Sequence, residues 1–188
     1  MQEESPSLSG LIGDRPSDWF AWHAGRMTPG CRVLDLACGA GRHSLAAAAL
    51  GATVLAVDKD PARLAEARRQ AQRQGARITW LELDLEQPWP DFGCFDVVLL
   101  FNYLDRTRMA RVLECVAPGG LLLMETFLDA QRTLGWGPTS AHHLLRSMEF
   151  RTLVDPLEVL HAREVFKPVD ASRWAWVASA LAHKVSES

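Results

Sequence analysis

The stretch CRVLDLACGAGRHSLAAAALGATVLAVDKDPARLAEARRQAQRQG, residues 31–75, decides the fold. Cys31 to Ala37 is an unalternated apolar run of strand length. Gly39 to Gly41 opens an Ala-rich helix over Arg42 to Leu50, and Gly51 stops it from the left-handed position just past the helix end. Thr53 to Asp58 is a second apolar strand. Asp60 as N-cap and Pro61 at the first helical position launch another helix to about Gln74, where Gly75 ends it, and Arg77 to Leu83 supplies a third strand. Strands that do not alternate are buried on both faces, so this succession predicts a parallel sheet with helices on each side.

Working outward, the pattern continues. Phe95 to Phe101 reads as a fourth strand, Arg106 to Val116 as a helix, and Pro118-Gly119-Gly120 as a turn into a fifth strand, Leu121 to Thr126. A helix is expected near Ala141 to Glu149. Leu157 to Phe166 and Arg173 to Ala182 then read as strands, and Lys167 to Ser172 between them is too short for a crossover, which requires an antiparallel hairpin. Upstream, Ser17 or Asp18 caps a short helix carrying Trp19, Phe20, Trp22 and His23. The expected architecture is α/β: a Rossmann-like, doubly wound, seven-stranded, mostly parallel sheet with a C-terminal antiparallel hairpin. It forms one domain, 17–188, after a mobile Ser/Pro/Gly-rich segment, 1–16.

Composition fits one globular domain: 188 residues, 48% hydrophobic, 23% charged, net charge −3. The acidic balance disfavours a general polyanion binder, so nucleic acid is an unlikely partner. Cys31, Cys38, Cys94 and Cys115 form no C-x-x-C pair and no zinc spacing, and reduced thiols in a cytoplasmic setting are expected. The polar opening is unlike a secretory signal, and the apolar run from Leu45 to Val57 is interrupted by Gly51, so no membrane contact is expected. No metal and no obligate protein partner are inferred.

Parallel sheets bind ligands beyond the carboxyl ends of their strands, where strand order reverses. Those ends carry Asp35 with Gly39 and Gly41, then Asp58, then Asp84, then Asn102-Tyr103. Glycines let the loop turn sharply and approach a ligand, and the helix after them presents free N–H groups. Asp58 lies where it can accept from both hydroxyls of a ribose. Asp84, with Leu85 beside it, suits an adenine amino group, although an Asp before Glu86-Gln87-Pro88 is equally a turn former. A dinucleotide would bring a pyrophosphate and ask for a third glycine, where this chain has Ser44. The carboxylate of Asp35 ahead of the loop instead favours a cationic ligand, S-adenosylmethionine.

VLDLACGAGRHSLAAAALGATVLAVDKD (33–60), FDVVLLFNYL (95–104) and APGGLLLMETF (117–127) together resemble the class I S-adenosylmethionine-dependent methyltransferases, and within them the small bacterial tellurite-resistance-type branch. The resemblance implies that Asp35, Ala37, Gly39 and Gly41 form the glycine-loop motif, with Ala37 standing where many members have Gly. It further implies Asp58 and Lys59 at the ribose, Asp84 and Leu85 at the adenine, and the backbone around Phe101 at the methionine amino group. Tyr103, His23 and Thr126 are the candidates for orienting a methyl acceptor, and each could equally be structural. Asn102-Tyr103-Leu104 sits where amino-group methyltransferases of nucleic acids carry Asn/Asp-Pro-Pro-Tyr, and lacks both prolines. Trp19, Phe20 and Trp22 either line a cleft or bury the first helix. His142-His143 reads as a helix-end pair rather than a metal or base pair, and Arg63, Arg68, Arg69, Arg73 and Arg77 as a solvated face. The expected function is methyl transfer to a small molecule, a thiol or chalcogen oxyanion. The alternatives are RNA methylation, a non-catalytic S-adenosylmethionine binder, and a nicotinamide oxidoreductase.

Overall fold

The computed structural model describes residues 15–170 and 172–186; most of the segment expected to be mobile, 1–14, lies outside the described residues. Seven strands form one sheet in the order β3-β2-β1-β4-β5-β7-β6. They are β1 Arg32–Leu36, β2 Thr53–Asp58, β3 Ile78–Glu82, β4 Phe95–Phe101, β5 Val116–Phe127, β6 Glu158–Pro168 and β7 Trp174–His183. The first five run parallel; β7 is antiparallel to β5 and to β6, closing the hairpin that the short Lys167–Ser172 link required.

The helices are α1 Asp18–His23, α2 Arg42–Ala49, α3 Pro61–Gln74, α4 Met109–Glu114 and α5 Phe150–Leu153. Local chemistry explains their limits. The Ser17 hydroxyl accepts from the Phe20 N–H to cap α1, and the Asp60 carboxylate accepts from Ala62 and Arg63 to cap α3, which ends at Gly75 in the left-handed region. Successive strand residues face opposite sides, so the core divides in two. Trp19, Phe20, Ala47 and Leu64 from α1, α2 and α3 pack with Val33, Val97 and Leu99. Met109, Val112 and Leu113 from α4, with Phe150, pack with Leu34, Val98 and Leu100.

Three expectations are corrected. The helix over Arg106 to Val116 is a 3-10 turn at Arg106–Arg108 followed by the two-turn α4, because Val116 already pairs with Phe95. Pro118-Gly119-Gly120 lies within β5, where the register shifts and Gly119 donates its N–H to the Lys184 carbonyl at 2.7 Å. No helix spans Ala141 to Glu149. A 3-10 turn at Ala141–His143 leads into extended chain whose Leu145 bridges Leu128, and the helical α5 starts only at Phe150.

Candidate active site

The strand order reverses between β1 and β4, and the carboxyl ends of these two strands carry left-handed residues that are not glycine, Ala37 (φ 56°) and Asn102 (φ 56°). Asn tolerates this conformation; Ala does not adopt it freely, so the loop holds strain where a ligand crevice is expected. After Ala37 the chain turns through Gly39 (φ 58°) and Gly41 (φ 77°) into α2. A Cβ on Gly41 would run into the Trp80 ring, so that position needs glycine for conformation and for space, whereas a Cβ on Gly39 would displace the Arg63 guanidinium and the need there is conformational.

Two carboxylates hold this loop from below and from the side. Asp58, buried at the end of β2, accepts from the Gly39 N–H at 2.6 Å through one oxygen and from the Asp60 N–H at 2.9 Å through the other. Each oxygen keeps a further lone pair. Asp35 is wholly buried, and its partner is the Ser44 hydroxyl, donating at 2.5 Å from the first turn of α2. Burial pushes the Asp35 carboxyl up to about 7, against the pull of Ser44. Asp35 thus ties β1 to α2 beneath the loop.

The other residues singled out in the sequence fall into two groups. Lys59 reaches from the end of β2 to Glu86 at 3.1 Å and Asp84 at 4.0 Å, joining the loops after β2 and β3. Asp84 accepts from the Glu86 N–H at 3.0 Å, and Leu85 is buried beside it. Tyr103 lies in the same neighbourhood; its hydroxyl is buried without a hydrogen-bond partner, and burial together with Asp105, Glu86 and Asp84 pushes its pKa up. Phe101 closes β4 with its ring stacked 3.9 Å from that of His43. These residues share the carboxyl edge of the sheet with the glycine loop.

Thr126 and His23 are placed differently. Thr126 is buried within β5 opposite Ala178. His23 ends α1 and faces His161 of β6 at 3.3 Å, among Trp19 and Trp22. Trp19 and Phe20 bury α1, whereas Trp22 is 63% exposed. His142 and His143 are exposed. Of the α3 arginines, Arg69 and Arg73 pair with Glu66, but Arg63 covers Gly39 rather than joining a solvated face.

Two groups escaped the sequence reading. His43 is buried, and its Nε2 accepts from the Ser17 N–H at 3.2 Å, which fixes a neutral ring with its proton on Nδ1; burial holds its pKa well below the usual imidazole range. Its place directly after the glycine loop was an available signal. Glu125 is buried in β5 among Lys167 (3.0 Å), Arg163 (3.4 Å) and Ser179 (2.8 Å), and the same two cations reach Asp18 of α1. A lone acid inside the apolar run LLLMETF demands such partners. Among the described residues no three His, Cys, Asp or Glu side chains are grouped to hold a metal ion.

Comparison with known proteins agrees with this geometry. A methyltransferase-domain family model matches residues 33–120, which run from β1 into β5. The ubiquinone biosynthesis O-methyltransferase of Methylocella silvestris is 31% identical over 171 residues, covering 82% of this chain and 62% of the relative. In sequence the chain is therefore similar to S-adenosylmethionine-dependent methyltransferases of class I. The ribosomal protein L11 methyltransferase of Thermus thermophilus is 39% identical over 113 residues, 59% of this chain and 44% of that protein. The chain therefore spans less than two-thirds of the length of these relatives, 62% of the first and 44% of the second. In fold it resembles TehB from Haemophilus influenzae, with a TM-score of 0.71 at 20% identity over 87% of this chain and 60% of that one. An S-adenosylmethionine-dependent methyltransferase from Clostridium acetobutylicum gives 0.67 at 11% identity, over 90% of each chain.

This likeness implies S-adenosylmethionine as cofactor, and the residues present fit it. The loop turns on two left-handed glycines, of which Gly41 has no room for a Cβ, Asp58 retains lone pairs for hydroxyl donors, and Tyr103 has a buried hydroxyl in want of a partner.

Proposed function

We propose that the chain transfers the methyl group of S-adenosylmethionine to a small-molecule nucleophile. The observation that carries this reading is the pairing of Asp58 with the Gly39 N–H at the end of β2, which fixes a loop of suitable chemistry beside the switch point. In this reading Asp58 and Lys59 hold the ribose, Asp84, Leu85 and Tyr103 surround the base, the backbone at Phe101 meets the amino-acid end, and Ala37, Gly39 and Gly41 line the loop above Asp35. When bound, the cofactor supplies an electrophilic methyl group on a cationic sulfur.

The protein's own contribution is alignment and exclusion of water. With the cofactor held by Asp58, Gly39 and Gly41, its methyl group would be presented to the acceptor's lone pair and S-adenosylhomocysteine would be the leaving group, a transfer that disperses charge and requires no strong acid. An acceptor that binds already ionised has no proton to lose, and a neutral one releases its proton once the product leaves the site. His43 is not a base here, because its free lone pair is taken by the Ser17 N–H. Tyr103, with its pKa pushed up, stays protonated and donates. An acceptor that is weakly acidic or soft needs no more, which suits a thiol, a chalcogen oxyanion or an acidic hydroxyl; the likeness to the ubiquinone biosynthesis O-methyltransferase favours the hydroxyl. A protein acceptor is the second reading, favoured by the likeness to the ribosomal protein L11 methyltransferase. A cytoplasmic setting accords with the four free thiols, and no helix among the described residues is long and apolar enough to cross a membrane.

Calorimetry with S-adenosylhomocysteine tests the cofactor half: Asp58→Ala should weaken binding about tenfold or more, the loss of one or two charge-assisted hydrogen bonds. Unchanged affinity in a folded variant defeats the ribose assignment. Labelled S-adenosylmethionine offered separately with small thiols, catechols, selenite, total RNA and protein extract tests the acceptor half. Label confined to RNA or protein overturns the small-molecule reading.

A further inference from the structure

The chain returning from β5 passes over the carboxyl edge of the sheet as residues 141–149, and its anchorage is polar. Arg106, in the loop after β4, donates to both oxygens of Glu149 at 2.5 and 2.8 Å and to the carbonyls of Ala141, His142 and Leu144 at 3.3, 3.2 and 2.8 Å. Glu149 also accepts from the Arg146 N–H at 2.8 Å. On the far side, Glu164 of β6 accepts from the Ser147 hydroxyl at 2.6 Å and the Met148 N–H at 2.5 Å, holding Met148 at φ 61° although it is exposed. Between these anchors Leu145 donates to the Phe127 carbonyl and accepts from the Asp129 N–H, both at 2.9 Å.

The two anchors differ in what lies behind them. Glu164 belongs to the hairpin, remote from the glycine loop in the strand order. Arg106 follows Asn102, the left-handed residue at the switch point, and Tyr103, whose hydroxyl lacks a partner. A guanidinium fork that satisfies five acceptors in one segment transmits a shift of its own backbone to that segment. We propose that residues 141–149, paired through Leu145 to the end of β5, form the acceptor-side wall of the site, and that Arg106 is a positioning residue coupling this segment to the cofactor-side loop after β4. This rests on the cofactor reading above and deepens it: a loop ordered by cofactor sets the wall against which the acceptor binds.

Amide hydrogen exchange, with S-adenosylhomocysteine as the probe, tests the coupling without an identified acceptor. In the unaltered protein the probe should slow exchange in 144–149 about tenfold. Arg106→Ala should abolish that slowing while keeping probe affinity within about threefold, and Arg106→Lys should restore part of it; the lysine variant also serves if the alanine variant fails to fold. Glu164→Gln should speed exchange in 147–149 with or without the probe, yet preserve the slowing, because it loosens the other anchor. Loss of the slowing in Glu164→Gln as well, or its survival in Arg106→Ala, reduces Arg106 to a structural tie. A probe that binds without protecting 144–149 overturns the coupling alone, whereas a probe that does not bind overturns the cofactor reading with it.

Discussion

The half of the molecule built from β1, β2, β3, α2 and α3 and the half built from β5, the 128–153 return, β6 and β7 solve the same problem in different ways. In the first, the turns are shaped chiefly by neighbouring residues, Gly39 and Gly41 by their left-handed backbone and α3 by Asp60, Pro61 and Gly75, with Asp58 reaching the Gly39 N–H across the strand ends. In the second, the chain is held by residues far apart in sequence, Glu125 to Lys167 and Arg163, Arg106 to Glu149, Glu164 to Ser147. A short-range solution preserves a loop for an invariant ligand. The long-range polar solution concentrates the energetic risk in a few buried charges.

That contrast is broken most sharply at Glu125. Removing it leaves Lys167 and Arg163, both largely buried, with Asp18 as the remaining carboxylate of this cluster. Breaking a buried ion network by deleting one partner costs about 3–5 kcal/mol, so Glu125→Ala should lower the urea midpoint steeply while Glu125→Gln, which still accepts, loses less. Equal stability in both would show that the hairpin half does not depend on its charges.

Asp35 gives the corresponding test in the glycine-loop half. Its carboxyl titrates near 7 in the folded protein against an ordinary 3.8, because burial penalises the anion. The native state therefore binds the proton more tightly than the unfolded chain between those values, and the contribution of Asp35 to stability falls as pH rises from about 4 to about 7, then stays level. Across a gap of this size the change is up to about 4 kcal/mol. In Asp35→Asn that fall disappears, so the stability difference, variant minus unaltered protein, should grow with pH over this window. A difference independent of pH refutes the raised titration.

Gly39→Val should affect binding more than folding. The added branch meets Arg63 and resists φ 58°, which costs about 1–3 kcal/mol of backbone strain, and it displaces the loop that Asp58 holds. Loss of S-adenosylhomocysteine binding by about a hundredfold or more, with the circular dichroism spectrum kept, is the expected result. Binding that survives would make the glycines a turn requirement only.

The same contrast explains what could be read in the sequence. The limits of α3, β2 and β4 were legible to the residue, because caps, Pro and Gly act locally and apolar runs mark buried strands. The Ala141–Glu149 stretch has helical apolar spacing, yet it is extended over Leu144 and Leu145, since Arg106 takes its carbonyls and Leu128 pairs with it. Local pattern cannot report a donor some 35 residues away. Likewise Asp35, Asp58 and Gly39 were visible as strand-end residues, but that Asp35 would be sealed under Ser44 and His43 fixed by the Ser17 backbone depended on contacts across the fold.

The smallest effect is also the finest discriminator, and it concerns Tyr103, which stands where the two halves meet. Its hydroxyl is buried and makes no hydrogen bond in the protein alone, a condition that costs about 1–3 kcal/mol relative to a satisfied group. Tyr103→Phe removes the hydroxyl and keeps the ring that packs against the core. Without ligand the variant should therefore be as stable as the parent or more stable by about 0.5–1 kcal/mol. With ligand the order should invert, because only the parent can donate to the bound cofactor or acceptor, and one neutral hydrogen bond is worth about 0.5–1.5 kcal/mol, or two- to tenfold in affinity. Thermal melts with and without S-adenosylhomocysteine measure both terms on one pair of proteins. A variant destabilised in the absence of ligand would mean that the hydroxyl already has a partner, such as an ordered water. A variant that gains stability and loses no affinity would remove Tyr103 from the cofactor site and leave the acceptor as its remaining partner, which the same melt repeated with an accepted substrate then decides.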